Sequence, residues 1–293
     1  MIDKQRILNS LFSGSRQLPT LPVLFVEINR MMENPFTSNQ KISQLLMKDQ
    51  AMVSKILKLS NSALYSRRQE VTNLANAITF LGTQTLRNLV LQISMVRLFP
   101  FNEEDIPDFS ANTFWEHSLG TAFFTTILAK KLNLPSDDDY YIGGLLHDLG
   151  KLVLYQFYPE KFKEIILRQI NNNSIDYIAE EEVLGVNHAD IGDFLAEKWK
   201  FKSTILAAIR DHHKELKSPA VNVAVTRIAN LFAKAAGLCF PWDKRVFDIV
   251  GDSAWEILKN HTRDEVDVER MTFEIQDESE KIKESVKELL SKK

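Results

Sequence analysis

The chain reads as all-α. Three observations predict this: few turn-forming residues, apolar spacing near 3.6 residues almost throughout, and proline or glycine at the ends of the periodic runs. There are ten glycines and nine prolines in 293 residues. A β-rich chain of this length would need more of both for its turns. Leu24, Phe25, Ile28, Met31 and Met32 share one helical face, between Pro22 and Asn34-Pro35. Ile42, Leu45 and Leu46 follow, with Ser38 as a candidate cap. Met52, Val53, Ile56 and Leu57 repeat the pattern. Leu74, Ile78 and Leu81 then run up to Gly82, and Leu86, Leu89, Val90, Ile93 and Val96 continue beyond it. Five or six short helices are therefore expected before residue 101.

Residues 102–110 are polar and contain a proline, so they read as a link. Beyond it the spacing predicts helices at 112–132, 137–155, 159–172, 176–184, 188–198, 203–213 and 218–236, with Ser136 as a cap. Two further helical patterns follow Phe240-Pro241-Trp242, the last being charge-rich and read as a solvated flank. The expected organisation is an N-terminal helical subdomain at 1–101, a helical core at 111–237 and a C-terminal extension at 238–293.

Composition narrows the function classes. Net charge is −3, from 36 basic and 39 acidic residues, which offers no global attraction to a polyanion. A single cysteine, Cys239, excludes an intramolecular disulfide and suits a reducing compartment. The first residues lack an apolar run, so no signal peptide is expected, and no apolar stretch is long enough to span a bilayer. A cytoplasmic location follows as the expectation.

The chemistry-bearing residues are His117, His147, Asp148, His188, His212 and His213. His147-Asp148 stands inside the apolar run Gly143-Gly144-Leu145-Leu146-His147-Asp148-Leu149-Gly150-Lys151. A buried His-Asp pair costs several kcal/mol unless it is hydrogen-bonded or coordinated. Imidazole nitrogens bind divalent transition metals, and one carboxylate can bridge two ions. If this run is one helix, Lys151 shares a face with the pair and could hold a phosphate over it. Any one of these histidines alone would more simply be a core or capping residue. Together with Asp148 they point to one shared polar pocket.

The order His117, His147-Asp148, His188, His212-His213 resembles the HD superfamily of metal-dependent phosphohydrolases. The flanking words resemble its HDOD branch, the HD-related output domains: Leu18-Pro19-Thr20-Leu21-Pro22, Lys48-Asp49-Gln50-Ala51, Ile56 to Tyr65, and Ala77 to Gly82 with Leu86 to Val90. The resemblance covers roughly residues 15–235. It implies a multi-helix HD-domain-like bundle and a bacterial signalling or regulatory module. It also implies one ion on Asp148, His188, His212 and His213, and another on His117, His147 and Asp148 with a later carboxylate. That last position is Asn230 here. Thr113 stands where some relatives carry a glutamate, and the Gly-Tyr-Pro loop of the related HD-GYP phosphodiesterases is absent.

Asparagine is neutral, so a second ion would lack charge compensation. One Fe, Mn or Zn ion is therefore expected rather than two. The favoured function is a non-enzymatic regulatory module with a protein partner and a nucleotide or phosphate ligand, and a homodimer is compatible with it. The alternative is a metal-dependent phosphohydrolase in which Asp148 and Lys151 serve catalysis. A third reading treats residues 42–61, with Lys48, Lys55, Lys58, Arg67 and Arg68, as a DNA-binding helix-turn-helix, against the simpler reading of a solvated basic face.

Overall fold

A computed structural model describes residues 4–13, 19–32, 34, 36–65, 70–101, 106, 109–135, 138–216, 220–243, 247–262 and 267–291. Pro35, Arg67, Arg68, Ser136 and most of the 102–110 link lie outside the described residues. The described residues form α-helices and no strand. The N-terminal helices are α1 (Lys4–Leu11), α2 (Val23–Met32), α3 (Asn39–Leu46), α4 (Gln50–Ser60) and α5 (Leu74–Leu98). Then come α6 (Ala111–Lys131), α7 (Asp138–Leu146), α8 (Leu149–Phe157), α9 (Pro159–Asn172) and α10 (Asp176–Leu184). The chain continues with α11 (His188–Lys198), α12 (Ser203–Asp211), α13 (Val221–Ala235), α14 (Ser253–Lys259) and α15 (Val268–Leu290). No described helix is long and apolar enough to cross a membrane.

The chain forms two compact units: residues 1–18 with 101–276, and residues 19–100 with 277–293. The division differs from the three successive blocks expected, because each unit takes a distant piece of chain. In the first unit α6 packs on α7 and α13, α8 on α11, and α12 on α7, α11 and α13. Phe114, Trp115, Phe124, Phe162 and Phe232 fill its interior. In the second unit α2, α3 and α4 pack on α5.

The local signals mostly act as expected. The Ser38 hydroxyl accepts from the Lys41 N–H and caps α3. Gly82 breaks the helical path of α5 with φ +79° and ψ 161°. Two expectations change. The predicted 137–155 helix is two helices, α7 and α8, with Asp148 between them at φ −97°, ψ 14°. His147 and Asp148 therefore do not project from one continuous helix. The second change is α15, which is not a solvated flank. It buries Met271 and Ile275 in the first unit and Ile282, Val286 and Leu289 in the second, a stripe at spacings of three, four and seven. The charges on its outer face conceal that stripe when composition alone is read.

The second unit also accounts for two residues of the helix-turn-helix reading. Lys55 Nζ donates to the carbonyls of Glu288, Leu289 and Ser291, at 3.0, 2.7 and 2.5 Å. These are the orphan acceptors at the C-terminus of α15, where a cation suits the helix dipole. Lys58 pairs with Glu288 at 2.7 Å. Both lysines serve an intramolecular helix end.

Candidate metal centre

Each candidate histidine reaches one buried point from a helix terminus or a helix interior. His117 comes from within α6, and His147-Asp148 from the α7/α8 break. His188 opens α11, and His212-His213 follow α12. Asn187 caps α11 through a capping box with Asp190, which fixes where His188 begins the helix. Close backbone approach makes the assembly fit. A Cβ on Gly150 would lie 2.0 Å from the His188 carbonyl oxygen, so only glycine lets α8 meet α11 there.

The carboxylate of Asp148 divides the histidines into two sets. Its Oδ1 faces His188 Nε2 at 3.1 Å and His212 Nε2 at 3.9 Å. His213 Nε2 lies 2.9 Å from His188 Nε2. Its Oδ2 faces His147 Nε2 at 3.5 Å and His117 Nε2 at 3.6 Å. In each set the donor atoms lie within 4.8 Å of one another. His117, His147, Asp148, His188 and His212 are buried, and His213 is half-buried.

The far side of each ring explains this convergence. His117 Nδ1 bonds the Leu238 carbonyl at 2.8 Å, His147 Nδ1 the Gly144 carbonyl at 2.7 Å, and His212 Nδ1 the Ile209 carbonyl at 2.7 Å. A carbonyl only accepts, so these three Nδ1 atoms carry the proton. Burial, opposed by the Asp148 charge, pushes His117 down to about 4 and His147 to about 3. Burial also holds His212 well below its ordinary value, as it does His213. The neutral rings then present bare Nε2 lone pairs inward. His117 Nε2 and His147 Nε2 lie 3.2 Å apart with no proton to share. Lone pairs aimed together beside a buried carboxylate suit a cation, and the Nδ1 bonds are the usual outer support of metal-binding histidines. The donor set therefore fits a divalent transition ion.

His188 is different. Glu180 Oε2 accepts from both His188 Nδ1, at 2.6 Å, and the His188 backbone N–H, at 2.7 Å. Burial works against its charge, but Glu180 outweighs it and raises His188 to about 9. Glu180 is fully buried and was not among the residues singled out from sequence. It stands first in the run Glu180-Glu181-Glu182, which reads as a solvated helix face; packing alone distinguishes it. Asp176 was also missed.

Lys151 does not sit over the site as a free phosphate ligand. Its Nζ donates to Asp148 Oδ2 at 2.9 Å and Asp176 Oδ2 at 2.8 Å, and it is buried. Burial disfavours its charge, yet the two carboxylates raise it above the ordinary lysine value. Burial also works against the charge of Asp148, but Lys151 and the rings hold it well below the usual carboxylate range. The expected role of Lys151 thus becomes that of a buried counter-ion. Thr113 is likewise placed elsewhere: its N–H and hydroxyl meet Ser110, the cap of α6.

A cleft of about 180 Å³ opens beside the Oδ1 set, lined in part by His212, His213, Tyr177 and Asn230. Asn230 is buried and its Oδ1 has no hydrogen-bond partner among the described residues. Two cations line this cleft, and both are paired. Arg227 clasps Asp252 through Nε and Nη2 at 2.8 Å each, and Lys234 meets Asp243 at 3.0 Å.

An all-helical fold carrying a buried histidine–aspartate centre of this order defines an HD-type domain. The HDOD domain model matches residues 18–215, and the chain belongs to that family. An uncharacterized protein of Treponema pallidum (strain Nichols) is 30% identical over 203 residues, 69% of this chain and 39% of that relative. The chain thus spans about two fifths of that relative's length. An HDOD domain protein of unknown function from Geobacter sulfurreducens superposes with a TM-score of 0.85 at 24% identity, covering 98% of each chain. A candidate phosphohydrolase from Shewanella amazonensis SB2B superposes with a TM-score of 0.72 at 24% identity, over 98% and 97% of the two chains. At these identities the structures share the fold; they do not transfer an activity.

Proposed function

We propose that this chain is a regulatory HDOD module whose centre holds one divalent transition ion, Fe, Mn or Zn, on the Oδ1 side of Asp148. It acts through binding of a ligand or a protein partner rather than through turnover. The ion's ligands are Asp148, His188, His212 and His213, with Glu180 orienting His188. His117 and His147 complete the Oδ2 face as supporting residues.

One observation carries this reading: Lys151 Nζ lies 2.9 Å from Asp148 Oδ2. An ammonium there occupies the electrostatic place that a second divalent ion would need, and like charges at such range repel strongly away from water. Asn230 adds no negative charge in return. The pairing of Arg227 and Lys234 with Asp252 and Asp243 further reduces the cleft's attraction for a phosphoester.

The test is metal analysis of protein purified without a metal-affinity column, alongside hydrolysis of bis(p-nitrophenyl) phosphate with added Mn(II) or Fe(II). The proposal expects about one ion per chain and no turnover above that of Asp148→Ala. Turnover that is lost in Asp148→Ala, with one ion bound or two, would instead establish the second reading, a metal-dependent phosphohydrolase. What favours that reading is the intact three-histidine, one-carboxylate set, whose ion could make a bound water acidic enough to attack phosphorus.

A further inference from the structure

The second unit carries a surface feature unrelated to the metal centre. α2 and α3 leave between them an open groove of about 560 Å³. One wall is Glu27, Arg30, Met31 and Asn34, a run at i, i+3, i+4 and i+7 along α2 and its end. The opposite wall is Lys41, Gln44, Leu45 and Lys48, at the same spacing along α3 and the turn after it. Each wall thus presents one helical face with an apolar residue, Met31 or Leu45, beside cations, and the α2 wall also carries Glu27.

Cations outnumber acids in the lining: Arg30, Lys41 and Lys48 against Glu27. Arg30, Lys41 and Lys48 are exposed, and among the described residues none has a carboxylate partner. The basic residues of α4 behave differently, since Lys55 and Lys58 are both engaged by α15. Apolar side chains flank the same groove. Val23 is 72% exposed one turn before Glu27, and Phe36 is 89% exposed between Asn34 and Thr37. Met47, beside Lys48, is 52% exposed. An exposed apolar strip rimmed by unpaired charge is the usual mark of a protein-binding surface. Duplex nucleic acid would match the cations but leave Met31, Leu45, Val23 and Phe36 against water.

We propose that this groove docks an amphipathic helix of a partner protein, with apolar residues at i, i+4 and i+7 on Met31 and Leu45 and acidic residues on Arg30, Lys41 and Lys48. The mode is helix-in-groove recognition, in which the apolar face supplies affinity and the flanking charges fix orientation. It holds whether or not the centre carries a metal.

The test uses the full chain and a fluorescein-labelled synthetic helix of about 20 residues, long enough to be partly helical alone. It carries leucines on one face and glutamates along both edges, and fluorescence anisotropy at moderate salt reads binding. Saturable binding is expected, weakened about tenfold or more in R30E/K41E/K48E and by a smaller factor in the milder K41Q/K48Q. Circular dichroism and metal content should stay unchanged in both variants. No binding, or equal binding of a scrambled peptide of the same composition, would overturn the proposal. So would a short DNA duplex that binds more tightly than the peptide and is lost in the same variants.

Discussion

The two faces of Asp148 are built from the same residue types yet have different capacities. The Oδ1 face meets His188, His212 and His213, and it is backed by the Glu180 carboxylate through His188. The Oδ2 face meets His117 and His147, but it also meets the Lys151 ammonium. Histidine count alone would call both faces ion sites. The difference lies in what surrounds them: one has an extra negative charge behind its donor atoms, the other an extra positive charge among them.

Removing the shared carboxylate should have the largest effect. Asp148→Ala is expected to abolish tight metal binding, read by metal analysis. It should also cost roughly 3–5 kcal/mol of stability, because Lys151 loses one of its two buried counter-ions. Retained stoichiometric metal would break the comparison outright. Glu180→Gln acts on one face only. Metal affinity should fall about 10–100-fold, because a weaker acceptor behind His188 makes it a poorer ligand. Unchanged affinity in a competition titration would show that the Oδ1 face is not where the ion sits.

The Oδ2 face is tested by relieving its positive charge. Lys151→Met should raise the ion count toward two per chain, whereas Asn230→Asp alone, in the cleft beside the Oδ1 set, should not. If Asn230→Asp already binds two ions, Lys151 is not what limits that face.

The rings also predict a pH profile for the metal-free protein. His117 and His147 have folded values of about 4 and 3, below the ordinary 6.5. Below pH 6.5 the unfolded chain binds more protons at these positions, so stability falls as pH drops toward those values. His188, raised to about 9, has the opposite sign. Its contribution is fully present below 6.5 and is lost as pH rises through 9. Denaturant midpoints of the metal-free protein should therefore peak near pH 6–7 and decline on both sides. A monotonic profile across that range would contradict the assigned charge states.

The smallest expected effect is a control remote from the centre. Lys55→Met removes a donor to three carbonyls at the end of α15. It should lower stability by about 1–2 kcal/mol, with metal content untouched.

Helices at 159–172, 176–184 and 188–198 are legible because Pro159, Asn173, Gly185 and Asn187 punctuate clean apolar spacing. The residues that meet on the Oδ1 face were equally legible as candidates, since few residue types bind metal and these fell in a telling order. Glu180 was hidden because a run of three glutamates gives no sign of which one is buried. Lys151 was visible but misread. Its partner Asp176 lies 25 residues away, and only folding brings the two carboxylates to one ammonium. The break after His147 was unreadable for a similar reason. Leu145, Leu146, Leu149 and Leu152 keep helical spacing across it, while the His147 bond to Gly144 and the contact of Gly150 with α11 are matters of packing.

The amino-acid order alone thus determined an all-helical chain, the breaks at its glycines and prolines, and a set of side chains suited to a metal. Those outcomes rest on local periodicity and on donor chemistry, which neighbours in sequence carry. Tertiary structure decided which lone pairs converge, which face of Asp148 bears the opposing charge, and that α15 buries a stripe. These depend on charges and surfaces brought together from distant segments, and Coulomb and hydrophobic energies are set by distance in space rather than separation along the chain.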